Sequence, residues 1–320
     1  MTNQELQLLR IETLLKNGLS LQKESLGEKC DLNINKEYDI KKILKNINNN
    51  YFFFLPTAIE NLLKDPYVNI NVLYNNLLNY RYINDNNGFE IIDKEEIEET
   101  LLQGKVGLYN PDLFSEETIP FIYLRDTEKE NFSVVVHEMY HFASLIDELD
   151  IGFSKGTLGR GIDEGFTQYL TNIACNNGRE LYYENGVYTT TYCFSTSYAN
   201  SLVTLLGLDK MKNIYFNSGY NGLIDELSKY QDRNEIIDFI SNIDYILDNE
   251  TLPKDDIDLD KFYDKVDECN AYLTEMWYSM HPGEDMPKHF LVGISEQPVY
   301  LATDKIVEEC SILENKQVKE

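Results

Sequence analysis

Residues 129–148 read Lys-Glu-Asn-Phe-Ser-Val-Val-Val-His-Glu-Met-Tyr-His-Phe-Ala-Ser-Leu-Ile-Asp-Glu, which places His137, Glu138 and His141 in an H-E-x-x-H spacing. Neither Gly nor Pro interrupts the run. Val134, Val135, Val136, Met139, Phe142 and Leu145 supply apolar faces for burial, so the whole stretch is predicted to be one helix. Residues four apart lie one turn apart on the same helix face. Two imidazoles so placed can reach a single tetrahedral zinc ion at about 2.0–2.1 Å. Glu138 follows the first histidine directly. Its carboxylate can stand beside a fourth coordination position, where zinc lowers the pKa of water toward about 7 and the glutamate can take its proton. The competing reading is a buried helix with two hydrogen-bonded core histidines. The pattern is specific because the chain holds four histidines in all.

Two protein ligands are too few for a catalytic zinc site, which generally has three plus water. Asp147 lies six residues after His141, but no glycine follows the second histidine to reverse the chain. On a continuous helix of 3.6 residues per turn Asp147 would point about 120° away from His141. Glu164 has better credentials. It sits in Gly161-Ile-Asp163-Glu164-Gly165-Phe-Thr-Gln168-Tyr169, after a loop marked by Gly152, Gly156, Gly159 and Gly161. That loop allows a second helix, expected over about 162–175, to pack on the first, with Gly165 permitting a close approach beside the metal. Twenty-two residues, 142–163, separate Glu164 from His141. The bland alternative is an exposed first-turn glutamate favoured by the helix dipole.

His137-Glu-x-x-His141 followed by Asp163-Glu164-Gly-Phe-Thr-x-Tyr169 resembles the gluzincin group of zinc metallopeptidases, over about residues 105–220. The resemblance implies a zincin-like α+β fold: a small mixed β-sheet over the H-E-x-x-H helix and a mainly helical C-terminal half. It implies that His137, His141 and Glu164 ligate zinc and that Glu138 is the general base in peptide-bond hydrolysis. Several positions depart from the group. Asp163 stands where many members have Asn, and the spacing to the third ligand is longer than in the aminopeptidases. No Gly-x-Met-Glu-Asn segment precedes the helix to hold a free amino terminus, which favours an endopeptidase. Gln168 stands where thermolysin-like members place a carboxylate that orients a ligand histidine; an amide can still accept that hydrogen bond. The tetrahedral oxyanion needs a donor besides zinc. By the likeness of the following helix, Tyr198 is the first candidate, with Tyr192, His281 and His289 as alternatives. A zinc hydrolase of a non-peptide substrate and a non-catalytic binding relative are the rival readings. Retention of Glu138 speaks against the second.

Outward from this centre, strands are predicted at 89–92, 106–109 and 121–124, with Asn110-Pro111-Asp112 a turn between the last two. Either 106–109 or 121–124 is expected to be an edge that holds an extended peptide by strand addition. Tyr51–Leu55 suits a buried strand. A hairpin is expected after Asn176-Asn177-Gly178, and helices follow, one carrying Leu202, Leu205 and Leu206 to Gly207 and another Met211, Ile214, Tyr215 and Phe216. Strands first and helices later indicate an α+β architecture. The predicted divisions are a helical extension over 1–50, an α/β part over 51–150 and a mainly helical part over 151–320. Asp256, Asp258 and Asp260 alternate like a calcium loop, but Lys261 stands where that loop needs glycine, so the segment reads as an acidic helix start.

Fifty-five acidic against 28 basic residues give a net charge of −27. Phosphate binding needs clustered cations, so nucleic acid and anionic membrane surfaces are disfavoured as partners. The charge suits either a solvated surface or attraction of cationic substrates; peptide or protein is the expected partner. Met1–Leu21 reads as a polar amphipathic helix, not a signal peptide, and no apolar run approaches the roughly 20 residues that span a membrane. Five scattered cysteines without a C-x-x-C pair fit thiols in a reducing compartment, hence a cytoplasmic expectation.

Overall fold

The structure is a computed structural model. It describes residues 2–26, 38–84, 107–110, 121–128, 131–147, 150–175, 182–183, 186–187, 192–250, 252, 256–287 and 290–292. The architecture is mixed α+β, mainly helical with small sheets. The chain divides into two compact units, residues 1–152 and 153–320. Among the described residues no helix is long and apolar enough to cross a membrane. The expected strand at 89–92, residues 111–112 of the expected turn, and His289 lie outside the described residues.

The first unit begins with α1 (Asn3–Leu26), α2 (Ile40–Asn49), α3 (Leu55–Lys64) and α4 (Ile70–Asn79). α1 buries Ile11 and Leu15 and packs on α2 and α3. Asp39 and Asn69 cap α2 and α4 by accepting backbone N–H groups of the first turn, donors that an α-helix leaves without carbonyls four residues back. Tyr51–Leu55 is not a strand. Leu55 already opens α3, because Pro56 stands in its first turn, where a fixed φ and a missing N–H suit helix initiation. Phe52 is buried, whereas Phe53 is 54 % exposed.

Three strands follow: β1 (Arg81–Ile83), β2 (Gly107–Asn110) and β3 (Phe121–Leu124). Their order is β1-β3-β2, with β1 parallel and β2 antiparallel to β3. β3 is therefore central, which removes 121–124 as the peptide-binding edge; β2 is an edge among the described strands. β3 is buried throughout, as a strand flanked on both sides should be. The H-E-x-x-H helix is α5 (Phe132–Ala143), packed against α3, α4, β2 and β3.

α5 is shorter than the predicted 129–148. Asn131 caps its start, its side chain accepting the Ser133 N–H at 3.2 Å. Ser144 ends it: both its N–H and its hydroxyl bond the His141 carbonyl, at 3.1 and 3.0 Å. A serine that bonds its own preceding turn competes with helix continuation. Leu145 and Ile146 then enter β4 (Leu145–Asp147), paired antiparallel with β5 (Asp150–Ile151). Asp147 is thus a strand residue and not one on a continued helix.

The second unit starts with β6 (Ser154–Lys155) and α6 (Arg160–Cys175). The expected hairpin appears as β7 (Tyr182–Tyr183) paired antiparallel with β8 (Gly186–Val187). Then come α7 (Cys193–Leu206), α8 (Leu208–Asn217), α9 (Gly219–Leu227), α10 (Arg233–Glu250) and α11 (Leu259–Met280). α6 packs most extensively on α7, and α10 contacts α6, α7, α9 and α11, so α10 is the unit's spine. Asp258 caps α11 by accepting the Lys261 N–H at 3.2 Å, so the alternating aspartates form a helix start. Cys175 and Cys269 are thiols, not disulfides.

Candidate metal centre

α5 is held from both ends and from one side, which fixes the rotation of its histidines. Its C-terminal turn is tied to α4 by Asn76, whose side-chain amide donates to the Phe142 carbonyl at 2.7 Å in a buried position. Phe142 is fully buried against Tyr80 and Tyr109, with ring centroids 5.4 and 5.6 Å away. With Phe142 in the core, His141 next to it turns onto the adjacent face, together with His137.

The two imidazoles lie with their Nε2 atoms 3.2 Å apart. Two ligands of a tetrahedral zinc at about 2.05 Å sit about 3.3 Å from each other. The spacing therefore fits a shared ion as well as it fits a hydrogen bond between one protonated and one bare nitrogen. His137, Glu138 and His141 are all buried, at 7, 6 and 7 % exposure. Three adjacent polar side chains buried on an otherwise apolar helix call for a polar purpose.

Glu164 lies on the second turn of α6 and is half-buried. One ligand atom from each of His137, His141 and Glu164 falls within 4.8 Å of the other two, and this group could hold a metal ion. Two imidazoles and a carboxylate are a donor set suited to zinc. No other cluster of three such side chains is found among the described residues.

The start of α6 is fixed by carboxylates. Asp163, 4 % exposed, accepts the Phe153 N–H at 2.8 Å. Asp244 of α10 accepts the N–H groups of Gly159 and Gly161 at 2.7 and 2.8 Å. Burial pushes the Asp244 carboxyl up to about 6, against the two backbone N–H bonds, which pull it down. Gly159 holds a φ of +79°, and a Cβ there would meet the Phe153 carbonyl oxygen at 2.2 Å, so no other residue fits. Gly165 allows a close approach too, but its neighbour is α7: a Cβ would lie 2.2 Å from the Ser195 carbonyl oxygen. The glycine expected beside the metal thus serves the α6–α7 contact. Gln168 donates its amide to Asn172 at 3.0 Å.

Tyr198 is a core residue. It is fully buried on α7, its ring stands edge-on to Phe239, and its hydroxyl lies 3.5 Å from the Val266 carbonyl oxygen. Burial and the neighbouring Cys269 hold its phenol well above the usual range. A hydroxyl sealed in the interior cannot meet a substrate oxyanion, so the expectation for Tyr198 fails on placement. The stripe Tyr198, Leu202, Leu205, spaced four and three apart, already carried that signal. Tyr192 opens α7 with a φ of +54°, the only non-glycine positive φ among the described residues. His281 caps the end of α11 and stacks on Trp277 at 4.2 Å, with Nδ1 3.8 Å from Glu284, a structural placement.

Three features escaped sequence reasoning. Asn76 lies within an ordinary helix pattern and gave no signal. Asp244 did: it falls on the α10 stripe of Ile236, Phe239, Ile240, Ile243 and Leu247, where an acid must have a partner. Gly107 did as well, being a glycine inside a strand pattern, which marks close backbone approach. No family model, curated protein or solved structure matches the chain.

Proposed function

We propose that the chain is a zinc-dependent peptidase of gluzincin type, acting as an endopeptidase. The observation that supports this best is the His137–His141 nitrogen pair at 3.2 Å, with the Glu164 carboxylate within 4.8 Å and Glu138 buried alongside. His137, His141 and Glu164 would hold the ion. Zinc bound there would supply Lewis-acid polarisation and make water more acidic.

The remaining chemistry belongs to the chain. Glu138 takes the proton of the attacking water on a carboxylate oxygen and later gives it to the leaving amine. A proton relay by a positioned carboxylate contributes roughly 10²–10⁴-fold. Burial of His137, Glu138 and His141 keeps bulk water from competing with that transfer. The edge of β2, whose first residue faces Glu138, is the place for an extended peptide to add as a further strand.

Two measurements test this reading. Elemental analysis of the purified chain should give one zinc per molecule, lost on replacing His137 or His141. A diverse peptide mixture exposed to zinc-loaded protein and read by mass spectrometry should show internal cuts that the Glu138→Gln variant does not make. Full zinc occupancy without any cut would overturn the peptidase reading in favour of a non-peptide hydrolase or a binding role.

A further inference from the structure

β2 crosses α5 at the general base, and the residue at the crossing has no side chain. A Cβ on Gly107 would stand 2.6 Å from Glu138 Oε1, 3.0 Å from Glu138 Cγ and 2.8 Å from Val134 Cγ1. Carbon contacts below 3.0 Å are not sustained, so something would have to shift. Val134 and Glu138 are four apart on α5 and present one face to the strand.

The strand cannot yield. Gly107 is paired with Leu124 on β3 in a fixed register. Two residues on, Tyr109 projects to the same face of the pleat and packs its ring on Phe142 at 5.6 Å. Tyr109 is 5 % exposed and Phe142 fully buried, so this contact anchors the strand to the helix.

Of the atoms in the way, Val134 is stiff at χ1, whereas the Glu138 carboxylate is the far end of a flexible side chain. An added methyl would therefore be absorbed mainly by rotating Glu138. We propose that Gly107 is a positioning residue for Glu138: the bare backbone of β2 fits against the carboxylate and confines it to one orientation. The proposal deepens the peptidase reading and rests on it for the step that Glu138 performs. A base displaced by about 1 Å can cost a hundredfold in rate, although the fold and the ligands are untouched.

The test is a set of variants in the full chain, assayed on a peptide that the wild type cuts. Gly107→Ala should lower kcat at least tenfold, leave KM within about threefold, and leave zinc affinity, measured by chelator competition, unchanged. Adding Val134→Ala should not restore kcat, because the carboxylate is still displaced. In thermal unfolding, Gly107→Ala should shift Tm less in a Glu138→Ala background than in the wild type, because the clashing group is gone. Retained kcat in Gly107→Ala, or its recovery on adding Val134→Ala, would overturn the proposal. A wild type that binds zinc and cuts no peptide would overturn the peptidase reading alone. The thermal cycle then decides the contact, coupled shifts upholding it and independent shifts overturning it.

Discussion

The two helices that carry the candidate ligands are held by different chemistry. α5 is fixed by neutral groups: the Asn131 cap, the Ser144 hydroxyl, and the Asn76 amide on the Phe142 carbonyl at 2.7 Å. α6 and its neighbour α7 are fixed by buried carboxylates. Asp244 holds the backbone of Gly159 and Gly161, and Glu250 holds the Phe194 N–H at 2.8 Å and the Ser195 hydroxyl. Both acids lie on α10, and burial pushes them up to about 6 and about 7. Neutral hydrogen bonds do not change with pH, whereas carboxylates with raised pKa values do. The bonds named on α5 join neutral groups, whereas those that hold the starts of α6 and α7 rest on carboxylates that titrate.

The largest expected effect separates the two helices by chemical role. Glu138→Gln should reduce turnover roughly 10³-fold or more while zinc remains bound, since a general base contributes about 10²–10⁴-fold. Glu164→Gln should do the reverse in kind, weakening zinc binding and losing turnover in proportion to the zinc lost. Chelator competition beside initial rates for both variants gives the answer. Loss of zinc in Glu138→Gln, or full zinc with lost turnover in Glu164→Gln, would erase the division of labour.

The second effect is in pH. Asp244 and Glu250 keep protons in the folded chain that the unfolded chain releases from about pH 4 upward. For a carboxyl whose pKa is raised on folding, the stability it contributes is present at low pH and is lost as pH rises through the folded value. Unfolding free energy should therefore fall, by roughly a few kcal/mol at most, as pH rises from about 4 to 7, and level off above. The opposing acids Glu60, Glu226 and Glu268, held low by neighbouring lysines and, for Glu60, by Arg10 as well, act below the ordinary carboxylate value and so outside this window. Urea unfolding from pH 5 to pH 8 tests the slope, and Glu250→Gln should flatten it. An unchanged slope in that variant would show that Glu250 is already ionised in the folded chain above pH 5, as it is in the unfolded one.

Much of the centre was legible because it depends on local spacing. An i, i+4 histidine pair needs only a helix, and the apolar run around it made the helix plain. β3 was read to the residue, since four apolar, partly β-branched and aromatic residues suit a strand buried on both sides. What was not legible depended on tertiary partners. Leu145 and Ile146 continue a helical period, and it is the Ser144 bonds to the His141 carbonyl and the pairing with β5 that end it. Tyr51–Leu55 has strand composition, yet Pro56 starts a helix there. Gly165 marks a close approach, as a glycine there predicts, but the neighbour is Ser195 of α7 and not the H-E-x-x-H helix expected beside the metal.

The third effect tests the neutral side of the comparison. Asn76→Ala leaves the buried Phe142 carbonyl without its donor and should cost about 1–3 kcal/mol of unfolding free energy. Because neither group titrates, the cost should be the same at pH 5 and pH 8. A cost that changes across that range would mean that α5 too is tied to an ionising group.

The smallest effect concerns the core of the second unit. Tyr198 has its ring against Phe239 and its hydroxyl at the long distance of 3.5 Å from the Val266 carbonyl oxygen. A hydrogen bond at that length is weak, so Tyr198→Phe should cost less than about 1 kcal/mol. It should also leave kcat within about twofold. A tyrosine that stabilised the oxyanion would lose about 10²–10³-fold in kcat on losing its hydroxyl, so the two roles differ by far more than the error of a rate assay. A large fall in kcat with unchanged stability would mean that α7 opens during turnover to expose Tyr198, and Glu250, which holds the Phe194 N–H and the Ser195 hydroxyl at the start of α7, would then be the cap that must release.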